Sequence, residues 1–227
     1  MIEDRFAAGR PQWEDVGVLF TDRVHDWELY KLRMLNASHS CMAYLMALAG
    51  VVYVDEAMSI QVLRRYLGRL LELEVIPTLA EIPGYPAAEY ASTVLRRFEN
   101  TGVRDQIARL CIDGTSKFPS FLIPTVEAQL VRGGPISCAA LALAAWCRYL
   151  GTVPAAERAP DSRGDHAVEL ARAALSDPIV FLELDEVFSS PLRESSIFRS
   201  AFVEAYRQLA THGPLEAIEL QHLRILR

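Results

Sequence analysis

The chain has 227 residues, of which 51% are hydrophobic and 23% charged, with a formal net charge of -6 at pH 7. That length suits one large domain or a domain with an appendage, and the composition excludes a disordered tail. Lysine and arginine are scattered without a basic stripe, which argues against nucleic acid as a partner, and no run approaches the roughly 18 uninterrupted apolar residues of a membrane span.

The N-terminus, "MIEDRFAAGR", lacks the apolar region of a secretion signal. The cysteines (Cys41, Cys111, Cys138 and Cys147) sit among apolar residues without metal-type spacing and read as reduced, buried thiols. A cytoplasmic chain without a metal, and without a membrane partner, is expected. Residues 1–25 read as a connecting segment, within which "VGVLFT" (16–21) is the one candidate strand. Residues 26–227 read as an all-α domain. Apolar residues at helical spacing predict a helix over 27–51, and a second over 55–71 with Asp55 as its cap. Residues 71–80 continue helical with a bend near Pro77, "EIPGYP" is a turn, and an amphipathic helix follows to Asn100. A short helix over 104–112 is expected to stop at "DGTSKFP", where Gly114 and Pro119 are breakers. Helices are then expected over 124–132, 137–150, 167–175, 181–188 and 195–212. The polar stretch 154–165 is the best candidate for a mobile loop.

One decapeptide stands out. "KLRMLNASHS" (31–40) puts Lys31, Asn36 and His39 at the edge of an apolar helix, where polar side chains are costly unless paired. At about 100° per residue the three fall within an arc of roughly 140°. Taken alone, such a trio is more often ordinary polar surface than a site. Its chemistry nonetheless fits one task. A partly desolvated lysine can take or give a proton, an asparagine amide can donate to an oxygen gaining negative charge, and a histidine can bind a neighbouring hydroxyl. Alcohol oxidation by hydride transfer needs those three functions. His25, His166, His212 and His222 are isolated and carry no role.

Lys31-x4-Asn36-x2-His39, within "ELYKLRMLNASHSCMAYL" and followed by "VDEAM", resembles the signature of the polyol-specific long-chain dehydrogenases, the mannitol 2-dehydrogenase-like family. "IPGYPAAEYASTVLRRFEN", "DQIARLCIDGTSKFPSFLIPT" and "VFLELDEVF" are similar to that family in order and spacing, so the resemblance covers nearly the whole chain. It implies that Lys31 is the general acid/base, that Asn36 polarises the reacting oxygen, and that His39 binds and orients the substrate. Arg109 and Lys117 would contact substrate hydroxyls, and Glu28 would relay protons with Lys31. Each has a plainer alternative. Glu28 and Lys31 could form an i,i+3 ion pair, Arg109 could be a solvated charge, and Lys117 could cap the preceding helix.

The family's dinucleotide-binding half precedes the helical half, and no glycine-rich phosphate loop or βαβ pattern is visible here. "MIEDRFAAGRPQWE" resembles the inter-domain crossover. The resemblance therefore implies the C-terminal substrate-binding and catalytic half, the Rossmann half being absent from this sequence. Its partners would be a sugar alcohol or ketose and the N-terminal Rossmann domain of the parent enzyme, with NAD or NADP held by that domain. The uncovered inter-domain face is expected to show an apolar patch near Lys31 and Arg109, through which the chain could self-associate. The alternative is a non-catalytic helical module that binds polyols or a partner.

Overall fold

The computed structural model describes residues 1–225, with side chains up to Gln221. The predicted domain end at residue 227 and the His222 side chain lie outside the described residues. The described part is helical and has no strand, in keeping with the all-α expectation.

The helix predicted over 27–51 is present but is built in three parts. Helix α1 (Val24–Tyr30) passes into a π-helical turn (Lys31–Asn36) and then into α2 (Ala37–Leu48) without a break. The turn closes with the Ala37 N–H donating to the Leu32 carbonyl, five residues back. A hydrogen bond of that span adds one residue to the turn and stacks positions five apart. Lys31 and Asn36 are five apart. An ideal α-helix would set them roughly 140° from each other, and the wider turn brings them towards one line.

The core forms around α9 (Ser137–Thr152), whose residues from Cys138 to Cys147 are all buried. It packs against α2, α10 (Asp165–Ala173) and α12 (Ser196–His212). Alanines at 139, 140, 142, 144 and 145 allow these helices to approach closely. At Gly151 an added Cβ would lie 2.6 Å from the Ala171 carbonyl oxygen, so only glycine fits that crossing. Glu74, buried in a second π-turn (Leu70–Val75), accepts from the Cys138 and Ala139 N–H groups at 2.6 and 2.9 Å and so caps α9. Burial raises its carboxyl to about 7, although the N–H groups it receives oppose that rise. Pro77, where the chain was expected to bend, brings no N–H of its own. The side-chain amide of Gln129 supplies donors to the Leu73 and Glu74 carbonyls instead.

Several sequence expectations need correction. The helix over 55–71 divides into α3 (Val54–Ser59) and α4 (Gln61–Arg69), because Ile60 is extended. Asp55 does not cap it; Asp55 lies in the first turn and binds Arg104, as does Glu56, each at 3.2 Å. The candidate strand at 16–21 is not a strand. Phe20 makes an isolated bridge to Ile2, and Val16 ends a 3-10 turn (Trp13–Val16). After α5 (Ala87–Phe98) comes α6 (Ile107–Leu110), shorter than expected because Arg104 takes a left-handed backbone, φ 50°. "DGTSKFP" does not end helical structure. Asp113, also left-handed at φ 53°, turns the chain into α7 (Gly114–Phe121), which runs through Pro119.

Helix α8 (Ile123–Arg132) ends as predicted on a left-handed Gly133. The stretch 181–188 is only partly helical, as the end of a 3-10 run (Pro178–Glu183). Helices α11 (Ser190–Glu194) and α13 (Pro214–Ile225) had no sequence expectation. The expected mobile loop at 154–165 is tied down at four points. Asp161 accepts from the Thr115 N–H and hydroxyl, and Asp113 accepts from the Ser162 N–H and hydroxyl, all at 2.8–2.9 Å.

Candidate active site

Two separate segments form the walls of one cavity of about 300 Å³. Its lining includes Lys31, Asn36, His39, Arg109 and Lys117, with Leu35 and Phe121 among the apolar members. The five residues singled out for substrate and catalysis thus share one space. The first wall is the α1–π–α2 helix. The second is the stretch from α6 to α7, whose N-terminal side is tied by main-chain bonds to the segment that follows α2. The Asp105 carbonyl accepts from Val54, and the Ile107 N–H donates to Val52, each at 2.9 Å. Glu28 is not in the lining. It is exposed one turn before Lys31, its carboxylate lies 3.8 Å from the His25 ring, and it forms no i,i+3 pair with Lys31.

The site's protonation states follow from burial and charge. Burial is the first cause that lowers the His39 imidazole, to about 4; Asp105 opposes the fall, and Arg109, Lys117 and Arg97 add to it. His39 is therefore neutral near pH 7, with one nitrogen to donate and one to accept. Its ring lies flat on Phe98, with centroids 4.2 Å apart and an interplanar angle of 22°, which fixes the face it turns to the cavity. Lys117 is half-buried, and desolvation lowers it below the ordinary lysine range, with Arg109 adding to the effect. Its ammonium donates to the Leu110 carbonyl at 3.1 Å. Lys117 thus caps α6, as the plainer alternative had it, and also lines the cavity.

Arg109 is held by Asp105. Its Nε donates to one carboxylate oxygen at 2.6 Å and a terminal nitrogen donates to the other. The Arg109 side chain is 60% exposed, whereas that of Asp105 is 19% exposed. Such a half-exposed i,i+4 pair stabilises the fold by only a few tenths of a kcal/mol; it fixes where the guanidinium sits. Lys31, Arg109 and Lys117 are the charged members of the lining, which contains no carboxylate. The large apolar side chains that are most exposed, Val16, Val103, Val131 and Ile197, do not line this cavity.

Sequence reasoning missed Asp105, Phe98 and the Asp113/Asp161 clasp. Asp105 had a usable signal, four residues before Arg109 at helical ion-pair spacing. Phe98 and Asp161 had none, since neither is near its partner in the sequence. Among the described residues there is no parallel sheet with a glycine-rich turn that could hold a dinucleotide, nor a group of His, Cys, Asp and Glu side chains that could hold a metal. No helix among them is long and apolar enough to cross a membrane.

The sequence pattern of the mannitol dehydrogenase C-terminal domain matches residues 23–210. A mannitol 2-dehydrogenase of Phaeosphaeria nodorum is 37% identical over 94% of this chain and 38% of that protein. Mannitol dehydrogenase 2 of Saccharomyces cerevisiae is 35% identical over 96% of this chain and 44% of its own length. The chain thus spans less than half of these curated relatives. In three dimensions it is similar to Pseudomonas fluorescens mannitol 2-dehydrogenase, solved as a ternary complex with NAD and D-mannitol. The TM-score is 0.85 at 35% identity, over 97% of this chain and 46% of that one. A D-sorbitol dehydrogenase in substrate-free form gives a TM-score of 0.86 at 30% identity, again over 46% of that chain.

Proposed function

The chain belongs to the mannitol dehydrogenase C-terminal domain family, and from that premise we propose that it is the substrate-binding and catalytic half of an enzyme that interconverts a sugar alcohol, mannitol- or arabinitol-like, and a ketose by hydride transfer to or from NAD(P). The observation that carries this reading is the convergence of Lys31, Asn36, His39, Arg109 and Lys117 on one cavity from two walls far apart in the chain. A polyol offers hydroxyls along its whole length, and this lining offers a donor or acceptor to several of them at once. Arg109 and Lys117 supply donors from one wall, and the neutral His39 and the Asn36 amide supply a donor and an acceptor each from the other.

In this reading the nicotinamide, bound by a cofactor domain outside this chain, supplies the hydride acceptor or donor. The residues here handle the oxygen and its proton. Asn36 donates to the reacting oxygen as negative charge builds on it, which preorganised donors of this kind favour. Lys31 takes the alcohol proton in the oxidative direction and returns it in the reductive one. Glu28, exposed one turn earlier on the same helix, offers that proton a relay beside the direct exchange of the exposed Lys31 with bulk water. His39, kept neutral by burial and by the cations facing it, orients the neighbouring hydroxyl.

The test is to titrate the isotope-labelled 227-residue chain with D-mannitol and then to measure nicotinamide turnover of the chain alone and mixed with the separately produced cofactor half of the Pseudomonas fluorescens enzyme. The expected result is mannitol-dependent shifts at the Asn36 amide and His39 ring, with turnover only in the mixture. Absence of both binding and turnover would overturn the proposal and favour a non-catalytic helical module.

A further inference from the structure

His39 lines two cavities. One is the space shared with Lys31 and Arg109. The other, about 160 Å³, is lined by Phe98, Asn100 and Asp105 among others. Asp105 stands at this junction. Its carboxylate is largely buried and grips Arg109 with both oxygens, while the charge it carries acts on His39. Its backbone is equally constrained, since its carbonyl accepts from Val54 and the next residue, Gln106, bridges to Tyr53. The acid is therefore the fixed partner, and the long, exposed guanidinium is the one being held.

We propose that Asp105 is a positioning residue of this site, which holds the Arg109 guanidinium over the cavity so that it meets the polyol already oriented. This rests on the functional reading above. Arg109 has several rotatable bonds and an exposed head, so without its anchor the side chain would have to be ordered at the moment of binding. Ordering a side chain of that kind costs affinity. A planar guanidinium gripped by one edge keeps its remaining N–H groups free for hydroxyl oxygens. Asp105 does this from outside the lining of the polyol cavity, and it would not touch substrate.

The experiment compares the wild-type chain with Asp105→Asn, Arg109→Gln and the double variant. D-mannitol affinity is read by NMR titration, and the Arg109 Nε–H resonance reports the anchor directly. Asp105→Asn is expected to weaken D-mannitol binding about tenfold, on the scale of one freed side chain. The double variant is expected to bind no more weakly than Arg109→Gln alone, because Asp105 acts through Arg109. The Arg109 Nε–H should exchange slowly with water in the wild type and rapidly in Asp105→Asn. Losses that add in the double variant, wild-type affinity in Asp105→Asn, or an unchanged Nε–H exchange rate would each overturn the proposal. If the wild-type chain neither binds D-mannitol nor turns it over with the cofactor half, the functional reading fails, and the Nε–H exchange still decides whether Asp105 anchors Arg109.

Discussion

The two walls of the cavity are made by different means. The wall carrying Lys31, Asn36 and His39 is one continuous helix, and its residues share a face because of local geometry: helical spacing and one π-turn. The wall carrying Arg109 and Lys117 is a short helix, a left-handed turn at Asp113 and a second helix, none of which would hold its place alone. It is fixed by main-chain bonds to 52–54, by the Asp113/Asp161 clasp, and by the packing of Gly114 under Tyr44 and Trp146. Under the proposed function, such a site would keep its chemistry on one continuous helix and set substrate contact through a wall placed by distant parts of the chain.

The largest expected effect is on the first wall and concerns chemistry, not folding. General acid–base groups contribute about 10² to 10⁴-fold to rate. In a reconstituted enzyme Lys31→Ala should lose about that much turnover while its thermal midpoint stays near wild type, because the side chain is exposed. Stopped-flow turnover with a parallel melt checks both. Near-wild-type turnover would make Lys31 a solvated lysine and remove the chemical distinction between the walls.

On the second wall the largest effect should be structural. A Cβ at Gly114 would lie 2.3 Å from the Tyr44 hydroxyl and 2.7 Å from Trp146 Nε1, both on buried, tightly packed rings. Tyr44 is also held by its hydrogen bond to the Cys111 carbonyl, at 2.9 Å, and cannot swing away freely. Gly114→Ala should therefore destabilise the chain by about 3 kcal/mol, at the upper end of ordinary overpacking. Chemical denaturation measures this, and a loss below about 1 kcal/mol would show that the wall adjusts more easily than its packing implies.

This difference also explains what was legible in the sequence. The Lys31-Asn36-His39 spacing, the buried Ala-rich helix and the Gly133 stop depend on neighbours in the chain, and reading the chain found them. The one local feature missed on the first wall is the π-turn, since no residue type marks it as Pro or Gly marks a turn. On the second wall "DGTSKFP" read as a helix stop because glycine and proline ordinarily break helices. Its helix is capped instead by Asp161, which accepts the Thr115 N–H of the first turn and lies in a loop more than forty residues away in sequence. The same bond pins the stretch expected to be mobile. Arg109 and Lys117 were placed in the site only through family resemblance, because their convergence with Lys31 is a tertiary fact.

His39 belongs to the first wall but takes part of its charge state from the second, which gives a pH test. Its folded value of about 4 lies below the ordinary 6.5, chiefly through burial. The unfolded chain therefore binds the proton first as pH falls, and folding stability declines between pH 6.5 and 4. It is unaffected by this group above that window. The full shift corresponds to about 3 kcal/mol at pH 4. Denaturation across pH 4–7 should give a slope that is shallower in His39→Gln. If burial is the main cause, Arg109→Gln should leave most of that slope in place. A slope abolished by Arg109→Gln would show that the second wall, and not desolvation, governs His39.

The smallest expected effect sharpens the comparison at the outer edge of the first wall. Glu28 sits one turn before Lys31 but outside the cavity, with its carboxylate 62% exposed and facing His25. As a structural group it contributes no more than about 0.5 kcal/mol, the ordinary scale of an exposed i,i+3 pair, so Glu28→Gln should melt like wild type. As a proton relay it would matter only where proton exchange between Lys31 and water limits turnover. Bulk water reaches an exposed lysine directly, so the loss should stay below tenfold, well short of the range for a general acid–base group. It should appear as a changed pH profile with an unchanged Michaelis constant for the polyol. A Glu28→Gln enzyme with wild-type turnover at every pH would confine the chemistry to the cavity-facing side of the helix. A loss as large as that of Lys31→Ala would mean that the solvent route is closed in the assembled enzyme and that Glu28 is its sole outlet.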